Sequence, residues 1–193
     1  MMRMACGALL GLLFCACAST ALAAETVTIC FNYGCASEGV ARLAEPRLRA
    51  IGKGLHGARS AAEEREYLAV AIGRLHAWAG EQTPIGADHA GNVADGGAYG
   101  AMDCIDHTTT TTRFLELLAR RGWLRFHHVL APERRGWIFQ HYTAVIEENL
   151  PSALLQADPG SARWTVDSWY VEPGQPALVL PLEEWKSYWS PDA

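Results

Sequence analysis

The chain has 193 residues, a formal charge of −5 at pH 7, 50% hydrophobic residues and 19% charged residues. This balance is typical of an ordered globular protein and excludes a disordered one. The mild acidity argues against a nucleic-acid partner, which would require a basic face. The length predicts one folded domain that is large enough to bury a full core.

The first 23 residues have the pattern of a secretory signal peptide. Arg3 precedes an apolar run from Ala8 to Ala18, and Ala21-Leu22-Ala23 is a small-residue cleavage site. The run is short and rich in small residues, and nothing later in the chain is long and apolar enough to cross a bilayer, so we expect no membrane span. Cleavage leaves residues 24–193 as a single domain in the periplasm or outside the cell.

A lipid anchor at Cys15 or Cys17 is the alternative to a cleaved signal peptide, but the residues around these cysteines fit a lipid-attachment site poorly.

Three cysteines remain after cleavage. Cys30 and Cys35 flank a four-residue segment that turns easily, which predicts a disulfide worth roughly 2 kcal/mol. Half of a zinc site is the alternative, but a second ligand pair at zinc spacing is missing. Cys104 has no partner and is either inert or kept for its chemistry.

The first half of the chain predicts one short strand and two helices. Residues 26–33 form a strand or an extended segment, and Val40 to Ile51 is a weak helix broken near Pro46. Ser60 and Glu63 make a capping-box pattern that opens a stronger helix. The apolar residues that repeat at helical spacing along it are Leu68, Ala71, Ile72, Leu75 and Ala79. Residues 81–103 predict a long loop, and long loops are often functional.

The second half predicts a helix followed by β structure. The helix begins at Cys104 and ends at Arg120-Arg121-Gly122. Its run of threonines, 108–112, forms helix poorly, although the hydroxyls can bond to carbonyls of the preceding turn. The predicted strands are 123–130, 136–147 and 163–171, followed by an apolar segment at 177–182 and a short helix at 183–189.

Pairing the last two of these strands brings a histidine and an aspartate together. With a connection centred near Leu154, His141 lies directly opposite Asp167. Directly opposed residues have Cβ atoms about 5 Å apart, so the carboxylate accepts from one imidazole nitrogen. A slip of one residue would place the two side chains on opposite faces.

Together with Cys104, these residues predict a nucleophile, a base and an orienting acid. A helix N-terminus and a protonated His141 should lower the pKa of the Cys104 thiol. Asp167 should fix the imidazole tautomer, and the Cys104 N–H is a natural oxyanion donor. A second donor should come from the preceding loop, where Asn92 and Tyr99 are candidates.

The order of these residues resembles the papain-like transglutaminase fold, and within it the bacterial transglutaminase-like cysteine proteinases. The resembling stretches are GAMDCIDHTTTTTRFLELL, HYTAVIEE and WTVDSWYVEPGQPALVLPLEEW. The resemblance implies an α+β fold with helices packed on an antiparallel sheet. It also implies Cys104 as the nucleophile, His141 as the base and Asp167 as the acid. The substrate implied is a peptide or protein, hydrolysed without a cofactor or metal. Many members of this family have a simpler Gly-Asp-Cys sequence at the nucleophile, and DCIDH departs from it. The roles of Asp106 and His107 therefore stay unassigned.

Three alternatives stay open. His107, three residues after Cys104, is a rival for the role of base. An amine acceptor in place of water would make the protein a transglutaminase, and the sequence does not choose between them. Proteins of another class are the third alternative: a metal-binding protein, with candidate ligands in Cys104, Asp106, His107 and His141, or a binding module on the same fold whose triad is not used. The oligomeric state does not follow from the sequence.

Overall fold

The computed structural model of the protein describes residues 24–92, 94, 96–157 and 160–187. The predicted signal peptide and its cysteines lie outside the described residues, as does the end of the predicted terminal helix. The strands are β1 (Glu25–Phe31), β2 (Ser37–Leu43), β3 (His127–Arg135), β4 (His141–Glu148), β5 (Arg163–Asp167) and β6 (Leu178–Pro181). The helices are α1 (Glu45–Gly57), α2 (Ala61–Gly80), α3 (Cys104–Arg120), α4 (Ser152–Ala157) and α5 (Leu182–Ser187), with a 3₁₀ turn at Pro84–Ala87.

The strands form two antiparallel sheets. β1 and β2 make a two-stranded hairpin, and the other four strands form a sheet in the order β3-β4-β5-β6. The prediction of an α+β protein with helices on an antiparallel sheet is therefore confirmed at the level of class. None of the described helices is long and apolar enough to cross a membrane.

Helix α3 connects the two sheets through a face that is partly apolar and partly polar. Phe114, Leu115 and Leu118 are fully buried and join the main hydrophobic cluster. The buried Thr110 accepts a hydrogen bond from the backbone N–H of Cys30 in β1 at 3.0 Å. Thr111 bonds His76 of α2 at 3.0 Å. The threonine run therefore ties α3 to its neighbours, whereas we had expected bonds within the helix.

Helix boundaries that carry a local cap were predicted correctly. The Ser60 hydroxyl accepts from the backbone N–H of Glu63 at 3.2 Å, and α2 follows as expected. The prediction for residues 40–51 was wrong, because Ser37–Leu43 is strand β2 and helix α1 begins only at Glu45. Pro46 starts this helix instead of breaking it, since proline in the first turn lacks only an N–H that has no helical partner.

The predicted register between β4 and β5 differs from the structure by two residues. Val145 pairs with Thr165, whereas the predicted pairing of His141 with Asp167 would place Val145 opposite Arg163. The connection contains α4 and not a tight turn, so it does not impose the register. A shift of two keeps every side chain on its predicted face. His141 and Asp167 therefore still share a face, as diagonal rather than direct neighbours.

Candidate functional site

Cys104 is the first residue of α3, and two aspartates shape the start of this helix. Asp103 is the N-cap, and its Oδ1 accepts from the backbone N–H groups of Ile105 and Asp106 at 3.0 Å each. The Asp106 carboxylate accepts in turn from the Asp103 N–H at 3.1 Å. This reciprocal pair is a capping box with aspartate at its third position. It fixes the path of the chain on both sides of the candidate nucleophile.

The Cys104 sulfur lies against the backbone at the start of β4. Its Sγ is 3.9 Å from the carbonyl oxygen of Gln140, and the backbone N–H of Tyr142 donates toward it. These two groups come from the residues on either side of His141. The helix start and the strand start therefore bring the thiol to the backbone that carries the histidine. Among the described residues, Cys104 is the one free cysteine.

His141 and Asp167 form a buried hydrogen-bonded pair. His141 Nε2 lies 2.8 Å from Asp167 Oδ2, and the two residues are 1% and 2% exposed. Asp167 also accepts from the indole N–H of Trp185 at 3.1 Å and from the backbone N–H of Trp169 at 3.1 Å. The carboxylate is thus held by three donors. With Nε2 bonded to Asp167, Nδ1 is the ring nitrogen left for other chemistry.

Three aromatic rings surround the imidazole and exclude water from it. The centroids of Trp169, Tyr170 and Trp185 lie 4.8, 5.1 and 5.7 Å from that of His141. Arg135, at the end of β3, donates to the Tyr170 hydroxyl and, at 2.6 Å, to the Trp185 carbonyl. Trp169 and Trp185 are both buried. The part played by Tyr170 and Arg135 was not foreseen, since neither belongs to a local motif.

The electrostatics of the thiol differ from the expectation. Burial raises the pKa of the Cys104 thiol above its ordinary value, and the carboxylates of Asp103 and Asp167 raise it further. The N–H groups of Tyr142 and of Cys104 itself lower the pKa, but by less. We had expected a lowered pKa from the helix N-terminus. The direction of the shift is therefore the opposite of the expected one and favours the protonated thiol.

Asp106 points away from the thiol toward the disulfide loop. Cys30 and Cys35 form the predicted disulfide, with a Cα–Cα distance of 4.7 Å. The backbone N–H of Cys35 donates to Asp106 Oδ1 at 2.6 Å. Burial is the main reason that the pKa of Asp106 rises to about 6. The disulfide is consistent with an oxidising compartment.

His107 belongs to a second buried cluster. Its Nδ1 lies 2.9 Å from the Ser168 hydroxyl, and its Nε2 lies 3.0 Å from Asp88 Oδ2. Ser168 also bonds Thr111 and His76, at 3.0 and 3.2 Å. Burial lowers the pKa of His76 well below its ordinary value, and the nearby His107 lowers it further.

This second cluster links the loop that precedes Cys104 to the end of β5, the strand that carries Asp167. Asp88 accepts from the backbone N–H of Met102, two residues before Cys104, at 2.8 Å. Ser168 directly follows Asp167. His107 therefore connects the loop before the thiol to the end of the strand that carries the acid. Neither Asp88 nor Ser168 was identified from the sequence, because their contacts are between residues distant in the chain.

The two candidates for a second oxyanion donor occupy different surroundings. The side-chain oxygen of Asn92 accepts from the indole N–H of Trp169 at 2.7 Å, which ties this loop to the aromatic wall of the site. Tyr99 is 71% exposed, and its ring packs edge-on against Phe31 with a centroid distance of 5.7 Å. Asn92 is thus connected to the site through Trp169, and Tyr99 is connected to the first hairpin.

The four candidate metal ligands contact different partners. Cys104 contacts the Gln140 carbonyl, Asp106 bonds the disulfide loop, His107 bonds Ser168, and His141 bonds Asp167. Within the described part of the chain, the one group of three His, Cys or carboxylate side chains close enough to share an ion is Cys30, Cys35 and Glu38. Its two sulfurs are joined in the disulfide.

Comparison with known proteins gives no match for this chain, whether with family models, with curated proteins or with solved structures.

Proposed function

We propose that this protein is an exported cysteine-dependent acyl-transfer enzyme with a papain-like, transglutaminase-like fold, acting as a peptidase or amidase. The observation that carries the proposal is the buried 2.8 Å bond between His141 and Asp167, next to a thiol at a helix N-terminus. A nucleophile, a base and an orienting acid are the three groups that acyl transfer through a thioester requires.

In the proposed reaction, Cys104 attacks the carbonyl carbon of an amide while its proton passes to His141 Nδ1. The raised pKa of the thiol makes this transfer part of the attack, and Asp167 stabilises the imidazolium that forms. The carbon–nitrogen bond then breaks, and the leaving amine takes the proton from His141. Water attacks the thioester, gives one proton to His141 and forms the carboxylic acid. The sulfur recovers its proton from the imidazolium.

The first N–H of α3 suits the developing negative charge on the carbonyl oxygen. N–H groups in the first turn of a helix have no carbonyl partner within it and point along the helix axis. The Cys104 N–H is in this position, because the helix starts at this residue. It supplies one oxyanion donor, and Asn92 or Tyr99 is the proposed source of a second.

The proposed location is the periplasm or the cell exterior, and the proposed substrate is a peptide or protein of the cell envelope or surface. The signal-peptide pattern in residues 1–23 and the Cys30–Cys35 disulfide support export. The substrate class rests on the family resemblance.

Acyl-enzyme formation tests the proposal directly. Residues 24–193 would be mixed with p-nitrophenyl acetate and the intact mass measured after rapid acid quenching. We expect one acetyl group on Cys104, none in Cys104→Ala, and acylation slowed about 10²–10⁴-fold in His141→Ala. His56→Ala is the matched control, since His56 is an exposed histidine of α1. Absence of acylation in the folded native protein would overturn the proposal and leave a non-catalytic binding protein.

The fate of the acyl group decides between the two acceptors. Adding a primary amine such as cadaverine to the acetyl-enzyme should leave hydrolysis dominant if the protein is a peptidase or amidase. Transfer of the acetyl group to the amine at millimolar concentration would assign the transglutaminase reaction to the same triad.

A further inference from the structure

The disulfide loop Asn32–Cys35 holds both carboxylates that flank the candidate nucleophile. The N–H of Gly34 donates to Asp103 Oδ2 at 2.9 Å, and the N–H of Cys35 donates to Asp106 Oδ1 at 2.6 Å. Asp103 and Asp106 are also the two members of the capping box that encloses Cys104. One short loop therefore contacts both aspartates that fix the start of α3.

A second pair of bonds ties the same loop to the chain just before the cap. The N–H of Asn32 donates to the carbonyl of Ala101 at 2.8 Å. The Asn32 side-chain oxygen accepts from the N–H of Gly100 at 2.8 Å. The loop thus contacts residues on both sides of Cys104, from Gly100 to Asp106. Successive N–H groups of a turn form a concave site that suits carboxylates.

The backbone of this loop is held in an unfavourable conformation. Asn32, Tyr33, Gly34 and Cys35 have φ values of 67, 62, 65 and 59°, so four consecutive residues are left-handed. Three of them carry a Cβ, and such residues keep this conformation only where their surroundings impose it. The covalent link from Cys35 back to Cys30 in β1 is such a constraint.

We propose that the Cys30–Cys35 disulfide is a redox-sensitive positioning device for Cys104, and that reducing it switches the reaction off. This inference rests on the proposed function, because its consequence is the loss of catalysis. The reductant is a dithiol, which is oxidised to its own disulfide as the Cys30–Cys35 sulfur–sulfur bond accepts two electrons and two protons to give two thiols. The freed loop leaves its left-handed conformation and withdraws its N–H groups from Asp103 and Asp106.

The test compares the native protein with the Cys30→Ser, Cys35→Ser double variant. Activity on the acyl substrate is measured together with two readouts that need no catalysis. These are hydrogen exchange at the amides of Ile105 and Asp106, and the rate of iodoacetamide labelling at Cys104 read by mass spectrometry. We expect kcat/KM to fall at least 10-fold and exchange at both amides to rise at least 10-fold, because their acceptor Asp103 is released.

A stability-matched control separates positioning from general destabilisation. Val27→Ala removes two methyl groups from a buried side chain of β1 without touching the disulfide. It should lower Tm by an amount similar to the double variant yet keep native exchange at Ile105 and Asp106. If the double variant does not fold, Asp106→Ala with the disulfide intact should show the same rise in exchange at Ile105.

The two proposals fail in different ways. If the native protein forms no acyl-enzyme, the proposed reaction is wrong, while the exchange and labelling readouts still test the loop. If the native protein is active and the double variant keeps kcat/KM and amide exchange within twofold, the positioning role of the disulfide is overturned.

Discussion

His107 lies on the same helix as Cys104, one turn later, and its ring is bonded away from the thiol. Its two nitrogens are 2.9 Å from Ser168 Oγ and 3.0 Å from Asp88 Oδ2. His141, by contrast, is held by Asp167 next to the backbone groups that contact Cys104. Within the proposed mechanism, this geometry favours His141 as the base, and we expect His107 to act only by positioning its neighbours.

The first prediction separates these two histidines. His141→Ala should slow acylation of Cys104 by about 10²–10⁴-fold, because it removes the proton acceptor. His107→Gln should slow acylation by less than about tenfold but should lower Tm, because it breaks the buried hydrogen bond to Ser168 and the close contact with Asp88. Both effects are measured by stopped-flow acylation and thermal unfolding. A larger kinetic loss in His107→Gln than in His141→Ala would reverse the assignment.

The second prediction concerns the ionisation of Cys104. Burial and the charges of Asp103 and Asp167 raise its pKa, so the rate of iodoacetamide labelling should reach half its maximum above the usual value of about 8.5. Asp103→Asn removes one of these charges but keeps a good N-cap, so its midpoint should shift to lower pH. Labelling is followed from about pH 6 to 10.5 by mass spectrometry.

Two outcomes would contradict this view of Cys104. One is a midpoint well below that of free cysteine, which would indicate a thiolate–imidazolium pair in the resting protein. The other is an unchanged midpoint in Asp103→Asn. Glu184→Gln, a charge removal on the exposed face of α5, is the control and should leave the midpoint unaltered.

Local patterns allowed part of this site to be predicted from sequence. Cys104 follows a capping aspartate, and an apolar stripe follows it, so the start of α3 was identified correctly. The assumed pairing of β4 with β5 correctly placed His141 and Asp167 on one face, because side chains alternate between the two faces of a sheet. Alternation does not distinguish registers that differ by two residues, which explains the error in their pairing.

The remaining features depend on contacts between distant segments. Strand β2 was mistaken for a helix because its hairpin partner is joined through four left-handed residues, a turn that standard sequence signals do not indicate. The pKa of the Cys104 thiol is raised mainly because the thiol is buried, and burial is not visible in a sequence. Asp88 and Ser168 belong to the buried cluster around His107, and no spacing in the sequence links these three positions.

The third prediction uses the pH dependence of stability to test the burial of Asp106. Its native pKa is raised from 3.8 to about 6, so the folded state binds more protons than the unfolded state between these values. The contribution of Asp106 to stability is present below the unfolded pKa and is lost as pH rises through the folded pKa. The unfolding free energy of the native protein relative to Asp106→Asn should therefore fall between about pH 4 and 7.

Urea unfolding at several pH values measures this difference. Asn is neutral throughout, so the carboxylates that do not interact with Asp106 contribute equally to both proteins and cancel. Parallel curves for the two proteins would mean that Asp106 titrates as an ordinary exposed carboxylate. Asp106→Ala serves as a second reference, because it is also neutral but lacks the acceptor oxygen.

The fourth prediction concerns the connection between β3 and β4, which ends beside the thiol. Trp137, Ile138 and Phe139 are 87%, 78% and 63% exposed, and they are followed by Gln140, whose carbonyl is 3.9 Å from Cys104 Sγ. Gly136 has φ +74°, and a Cβ there would lie 2.0 Å from the Phe139 oxygen, so this connection is tightly closed. Three large apolar side chains exposed in the connection that ends beside Cys104 favour contact with apolar parts of the proposed substrate.

Replacing Trp137 and Phe139 together by serine should therefore weaken substrate binding without altering the chemistry. For a peptide amide with large apolar side chains, we expect KM to rise about tenfold or more, since a buried apolar side chain contributes about 1.5–3 kcal/mol. We expect kcat to stay within about twofold, because neither residue belongs to the proposed triad. Tm should change little, since both side chains are exposed.

Val40→Ser, at a 56% exposed position of β2, is the matched control and should leave KM unchanged. An unchanged KM in the double variant, measured on substrates with both polar and apolar side chains, would show that the substrate does not contact this connection.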